Sequence, residues 1–342
     1  MATITKRKSG RFQARVRRRD GAAVSHTFER EADAKAWGRK TESEVERSVW
    51  RDTAEAERTT LGECLDRYLA EHIPRKSDPA RERSHLNALR GLPITKLTMA
   101  RVRSADVARV RDGWAGIDLA PATIVRRLAI LSRVFNVART DWGMDGITNP
   151  VETVSKPRVA NARERRVSDE EIHAICAATA SAELGAIVQV AVETGMRRGE
   201  LCGLRWMHVD LNKRTAHLPT TKNGHARTVP LSSRAAAVLR ALPRRIDGRV
   251  FGFRPDSVTQ SLARACKRAR AHYERDCAER CRLPDPSHLT CLRVHDLRHE
   301  ATSRLADLLE AHELAKVTGH RDMRMVLRYY HPRAEDLARK IG

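Results

Sequence analysis

The sequence predicts a mostly α-helical protein with small β-sheets, an α+β chain made of more than one folding unit. Three observations carry this. At 342 residues the chain is too long for one ordinary compact domain. Apolar residues recur at helical spacing in several stretches between 30 and 140, most clearly over 121–140. Strict alternation is confined to two short places, one near the N-terminus and one around an Asn-Gly pair. The expected order is an N-terminal three-stranded sheet with a helix (1–57), a helical domain (58–156), a linker (157–166), and a mainly helical domain with a β-hairpin (167–342).

Residues 1–20 are strongly basic. Within them Phe12, Ala14 and Val16 alternate with Arg11, Gln13, Arg15 and Arg17, as in a half-buried strand with a cationic outer face. Asp20-Gly21 is a hairpin turn signal, Ala22 to Phe28 the return strand, and 30–50 an amphipathic helix with Ala34, Trp37 and Val45 inward. A basic β-face of this kind can enter a DNA groove. After a break at 51–58, Thr60 and Glu63 form a capping box ahead of a helix from Leu61 to Ile73. Helical patterns follow at 81–91, 104–113 and 121–140. In the last, Ile124, Leu128, Leu131, Phe135 and Ala138 share a face, and Arg126, Arg127, Arg133 and Arg139 lie among them. Asn149-Pro150 ends this region. The stretch to Arg166 is polar and weakly periodic, which reads as a linker. Ser168 then opens a helix with Asp169, Glu170 and Glu171 in its first turn.

Charge narrows the function classes. Lys and Arg number 65 against 43 Asp and Glu, a net charge of +22. Solubility alone is served better by acidic residues, so a polyanionic partner is expected, with arginine forks matched to phosphate oxygens. No window reaches the roughly 18 apolar residues of a membrane span, and the basic N-terminus has no apolar core of a secretory signal. A cytoplasmic location, on the bacterial nucleoid, is expected, and the seven cysteines are expected to be free thiols.

Four segments of the C-terminal half carry reactive residue types. In Thr194-Gly195-Met196-Arg197 an apolar helix runs into a glycine suited to a C-cap, placing Arg197 at a helix–helix turn, with Glu200 just beyond. Lys222-Asn223-Gly224 lies at the rim of a predicted hairpin. His295 and Arg298 are three apart and share a helical face. Gly319-His320 is followed by Tyr329, nine residues after His320.

In this order and spacing the segments resemble the catalytic motifs of the tyrosine recombinases, or phage-integrase family. The stretches around Lys222 and His295 look most similar to its shufflon-type branch. The resemblance covers about 164 to the end and extends loosely to the helical middle, which looks like a core-site-binding domain; the N-terminal module is similar to arm-type DNA-binding domains. It implies a site-specific recombinase that cuts and rejoins DNA through a covalent 3′-phosphotyrosine, for integration, excision or inversion. By the same resemblance Arg197, Lys222, His295, Arg298, His320 and Tyr329 are the catalytic set, with Glu200 supporting. Arg197 and Arg298 would grip the phosphate bidentately and His320 would add a hydrogen bond. His295 would accept the phenol proton and Lys222 protonate the departing 5′-oxygen. No metal or other cofactor is expected. Candidate DNA-binding residues are Arg11, Arg15, Arg17, Arg126, Arg127 and Arg133. The implied partners are double-stranded DNA with specific recombination sites, three further copies of the chain in a homotetramer at the synapse, and DNA-bending accessory proteins.

Alternatives stay open at this stage. Tyr330 neighbours Tyr329, although the spacing favours Tyr329. His299 and His331 read as residues that orient neighbours. Residues 270–292 are longer and more polar than the family's usual spacing, an insertion in a loop or an extended helix. Cys277, Cys281 and Cys291 with His272 and His288 offer zinc-type ligands at a spacing that matches no standard finger. A non-cutting DNA-binding protein and a type IB topoisomerase are the competing function classes. The tail from Ala334 to Ile341 is expected to form a short helix that packs on a neighbouring protomer.

Overall fold

The structure is a computed structural model that describes residues 2–17, 23–47, 51–76, 78–159, 165–220 and 226–330. The chain divides into two compact units, Met1–Asn161 and Ala162–Gly342. The division falls within the 157–166 stretch.

In the first unit, strands β1 (Thr3–Lys6), β2 (Phe12–Arg17) and β3 (Ala23–Phe28) form an antiparallel sheet in that order. Phe12 pairs with Phe28 and Val16 with Val24. The alternation in β2 resolves as expected: Ala14 and Val16 are buried, while Arg15 and Arg17 are exposed. Helix α1 (Glu31–Glu46) covers the buried face with Ala34, Gly38 and Thr41, and the Trp37 ring packs at a tilt against Phe28 and His26. The Asp20-Gly21 turn lies outside the described residues.

A helical bundle completes this unit: α2 (Ala54–Arg58), α3 (Leu61–Glu71), α4 (Pro79–Arg90), α5 (Ser104–Gly116) and α6 (Pro121–Thr140). The capping box forms, with Thr60 Oγ1 accepting from the Glu63 amide and Glu63 accepting from the Thr60 amide at 2.7 Å. Its core runs through Leu61, Leu65, Tyr68, Leu128, Leu131 and Phe135, all essentially inaccessible. Arg126 and Arg133 remain exposed on α6, whereas Arg127 lies over the Trp114 ring, 5.2 Å from its centroid.

The second unit contains α7 (Asp169–Ala178), α8 (Ala182–Thr194), α9 (Arg198–Gly203), a sheet of β4 (Val209–Asp210), β5 (Thr215–Leu218) and β6 (Arg227–Pro230), then α10 (Ser233–Ala241), α11 (Pro255–Glu279), α12 (Val294–Ala306), α13 (Ala311–Thr318) and α14 (Met323–Leu327). Helix α8 is apolar almost all round and is correspondingly the central element, packed by α7, α10 and α12. The 270–292 segment is partly helix and partly loop. α11 continues to Glu279, and the loop after it is strapped back: Tyr273 Oη accepts from the Asp285 amide at 3.0 Å, Arg270 donates to the His288 carbonyl at 2.8 Å, and the Tyr273 and His288 rings meet at a tilt with centroids 4.3 Å apart.

The end of the expected linker is docked rather than loose. Arg165 forms a fork on the buried Glu171, and Arg166 donates to the buried Glu300 at 2.7 Å. Among the described residues, no helix is long and apolar enough to cross a membrane.

Candidate active site

The site is built on two helix ends. α8 and α13 both terminate at glycines in the left-handed conformation, Gly195 (φ 61°) and Gly319 (φ 70°), which a residue without Cβ adopts freely. Such ends leave carbonyls without intrahelical donors, at the negative pole of the helix. Three guanidinium groups satisfy them. Arg298, buried on α12, donates to Gly195 O at 2.5 Å and Thr318 O at 2.7 Å. Arg197, the N-cap of α9, donates to Gly319 O at 2.9 Å, and Arg227 of β6 to Val317 O at 2.9 Å. The cage also needs Gly319 for room: a Cβ there would lie 2.9 Å from an Arg227 guanidinium nitrogen.

Glu200 sits among these cations as the counter-charge. Its carboxylate accepts a bidentate pair from Arg227 at 2.8 and 2.6 Å, a bond from Arg197 Nη1 at 3.0 Å, and the Arg197 amide at 2.7 Å. Burial opposes its ionisation, but the Arg227 and Arg197 contacts outweigh burial and hold the carboxyl below the usual range. One carboxylate cannot balance three guanidinium groups. The cluster therefore keeps a net positive charge, and burial and then the neighbouring Arg197 reduce the Arg298 pKa to about 10. Three guanidinium groups are thus held in place around one carboxylate, an arrangement chemically suited to an anion.

His320 lies beside Arg298. Arg298 Nη2 is 3.3 Å from Nε2, and Thr318 Oγ1 is 2.8 Å from Nδ1. Arg298 can only donate, and the Thr318 hydroxyl already donates to Leu314 O, so the network assigns the proton to Nδ1. Burial and then Arg298, Arg197 and Arg227 lower the His320 pKa to about 4, so the ring is neutral at pH 7. His295 opens on solvent in the first turn of α12. Desolvation by the protein beneath it, then His299 and Arg298, draw it below the ordinary histidine value.

Tyr329 follows α14, partly buried, and burial raises its phenol above the ordinary value although Arg328 and Arg298 pull the other way. The ring nitrogen at its hydroxyl belongs to His299: Oη to Nδ1 is 3.0 Å. Its neighbour Tyr330 points elsewhere, its hydroxyl donating to Leu309 O within a small cluster around Leu314 and Val326.

The structure thus brings Arg197, Glu200, Arg298 and His320 together, with His295 and Tyr329 carried on the same α12–α13–α14 frame. Lys222 lies outside the described residues, as does its turn. The strands on either side, β5 and β6, pair as the hairpin reading requires, with Leu218 opposite Arg227. A cavity of about 430 Å³ opens beside Arg197 and Glu200, lined by His208, His217 and Thr220 just before that turn. Arg227 and His299 are the residues that sequence reasoning underrated. Arg227 lies three residues past the predicted Lys222-Asn223-Gly224 turn, but nothing in its spacing tied it to Glu200. Among the described residues no group of three His, Cys, Asp or Glu side chains is placed to hold a metal ion. Cys266 is a core residue that burial pushes up to about 11, which makes it a poor nucleophile.

The family model described as "Phage integrase family" matches residues 165–336. A relative from Escherichia coli described as a shufflon-specific DNA recombinase is 37% identical over 293 residues, spanning 82% of this chain and 71% of its own. A putative integrase/recombinase of Haemophilus influenzae is 31% identical over 355 residues, spanning 99% and 88%. Among solved structures, the Tn1549 transposon integrase in complex with circular intermediate DNA aligns with a TM-score of 0.67 at 17% identity over 83% of this chain and 99% of that one. A lambda integrase tetramer bound to a Holliday junction aligns at 0.61 and 19%, over 93% and 95%. At those identities the structural likeness speaks for the fold, while the family model and the relatives speak for descent. The chain belongs to the phage integrase family.

Proposed function

We propose that this chain performs the site-specific DNA cleavage and rejoining of its family with Tyr329 as the nucleophile. The observation that carries the reading is the preassembled cage in which Arg197, Arg298 and Arg227 converge around one carboxylate with His320 and Tyr329 at its edge. In this reading a scissile phosphate lies against Arg197 and Arg298. Their donors are held by helix-end carbonyls, so little reorganisation is needed as negative charge gathers on the non-bridging oxygens. His295 contributes a ring hydrogen bond to those oxygens, and His320 does so once the phosphate takes over Arg298 and the ring proton moves from Nδ1 to Nε2. The Tyr329 oxygen bonds to phosphorus as the bond to the 5′-oxygen breaks, and Lys222 protonates that leaving oxygen. The phosphotyrosine conserves the bond energy, so rejoining needs no nucleotide.

The exposed Arg11, Arg15 and Arg17 of the N-terminal sheet, and Arg126, Arg127 and Arg133 of α6, are the proposed DNA contacts outside the cage. We read 1–57 as an arm-type module, 58–156 as the core-site binder and 167–342 as the catalytic domain. A homotetramer, with the 334–342 tail of one protomer against the next, and DNA-bending helpers complete the proposed synapse, on the nucleoid of a bacterial cytoplasm.

The test is a plasmid carrying two copies of the DNA that flanks the gene, incubated with purified protein without ATP. Exchange between the two sites is expected. Relaxation of any supercoiled plasmid regardless of site would point to a topoisomerase, and tight, salt-sensitive binding without strand exchange to a non-cutting DNA-binding protein.

A further inference from the structure

The nucleophile needs a proton acceptor in contact with it, and the sequence offers two histidines one helical turn apart, His295 and His299. The geometry separates them. On α12, Arg298 turns into the carbonyl cage, and the next residue round the helix, His299, faces Tyr329. Its Nδ1 is 3.0 Å from the phenol oxygen, and the two rings are tilted with centroids 5.4 Å apart. His295 stands perpendicular to His299 at 5.5 Å, on the solvent side.

We infer that His299 is a catalytic residue, the group that takes the phenol proton when Tyr329 attacks. The inference rests on the reading of Tyr329 as nucleophile. The Oη–H bond breaks toward His299 Nδ1, the Oη–P bond forms, and the P–O5′ bond breaks, with the leaving oxygen protonated by a different group. In rejoining, the 5′-hydroxyl gives its proton back to the group that had protonated it and bonds to phosphorus, the P–Oη bond breaks, and the His299 imidazolium returns its proton to Oη. A buried phenol above its ordinary pKa gains most from an acceptor already at hydrogen-bond distance. His299 is therefore the gate on nucleophile activation, and His295 is left to serve the phosphate.

The test uses the full-length protein and a nicked duplex bearing its site, in an ordinary form and in a form with sulfur replacing the bridging 5′-oxygen. A thiolate leaves without needing a proton, so the sulfur substrate rescues defects on the leaving-group side only. His299→Ala is expected to slow covalent trapping by about 100-fold on both substrates. His299→Asn, which keeps an acceptor near the Nδ1 position but cannot carry the proton, is expected to stay slow, and both variants to bind DNA as the wild type does. Trapping by His299→Asn at the wild-type rate, rescue of His299→Ala by sulfur, or loss of DNA binding by both variants would each overturn the assignment. A wild type that forms no adduct on either substrate sinks the functional reading itself.

Discussion

His320 shows how the cage sets the behaviour of a single side chain. Its two ring nitrogens are spoken for by Thr318 and Arg298, and burial together with the surrounding cations keeps it neutral. Because its folded pKa, about 4, lies below the ordinary histidine value of 6.5, the unfolded chain binds a proton more readily between them. The contribution to stability is full above pH 6.5 and is lost as pH falls toward 4. An NMR titration of the DNA-free protein should show His320 as the Nδ1–H form, taking up its proton near pH 4; uptake near 6.5 would mean the cage does not hold it as described. Arg227 makes a second case. Its side chain is only 8% exposed and forms the bidentate partner of Glu200. Arg227→Ala leaves a buried carboxylate with half its partners and should cost about 3 kcal/mol in urea unfolding. Covalent trapping should also weaken, because Arg197 would be drawn further onto Glu200. The motif residues were legible in the sequence because short-range spacing places them on helix ends and helix faces. Arg227 was not, because its partner is 27 residues away across a turn. His299 was visible, yet only the packing of the C-terminal segment shows which histidine Tyr329 meets.

At the scale of elements, α12 is the member that joins the parts. It carries His295, Arg298 and His299, and the next residue, Glu300, receives Arg166, Arg304 and the Val167 amide. The segment entering the second unit is thereby bolted to the catalytic helix. Burial alone would raise the Glu300 pKa, but Arg166, Arg304 and the Val167 N–H bring it down to about 2. Relative to the ordinary 4.5, that corresponds to about 3 kcal/mol of stability, present above pH 4.5 and lost as pH falls toward 2. Glu300→Gln should lose about that much in chemical unfolding at pH 7 and flatten the acid limb of the stability curve; an unchanged midpoint would show that the knot is decorative. Polar, weakly periodic composition made 157–166 read as a linker, and no local rule reveals that its last arginines dock on carboxylates, one of them 134 residues away. Capping chemistry was more transparent. The Thr60–Glu63 box forms where the sequence placed it, and Ser168, expected to open a helix, forms a second box with Glu171; each is complete within a single turn.

For the whole molecule, the net charge of +22 is the dominant fact. DNA binding should weaken steeply with salt as counterions return to the phosphates. Each proposed DNA-contacting arginine removed, Arg15 or Arg133 for example, should reduce the slope of log affinity against log salt by about 0.9. Slopes that do not change in either variant would remove those residues from the DNA interface. Most helices of the first unit were readable from periodicity, and its sheet from alternation, since each depends on near neighbours. The way two glycine-capped helices are brought end to end to build the cage depends on contacts between α8, α12 and α13 that periodicity does not encode.

The central claim is that Tyr329 carries the DNA. The most direct measurement is to trap the adduct on a nicked site, digest it with protease and nuclease, and identify by mass spectrometry the tyrosine that retains the nucleotide. The account expects it on Tyr329, with Tyr329→Phe giving no adduct while DNA binding persists. A nucleotide on Tyr330, or an adduct formed by Tyr329→Phe, would contradict it.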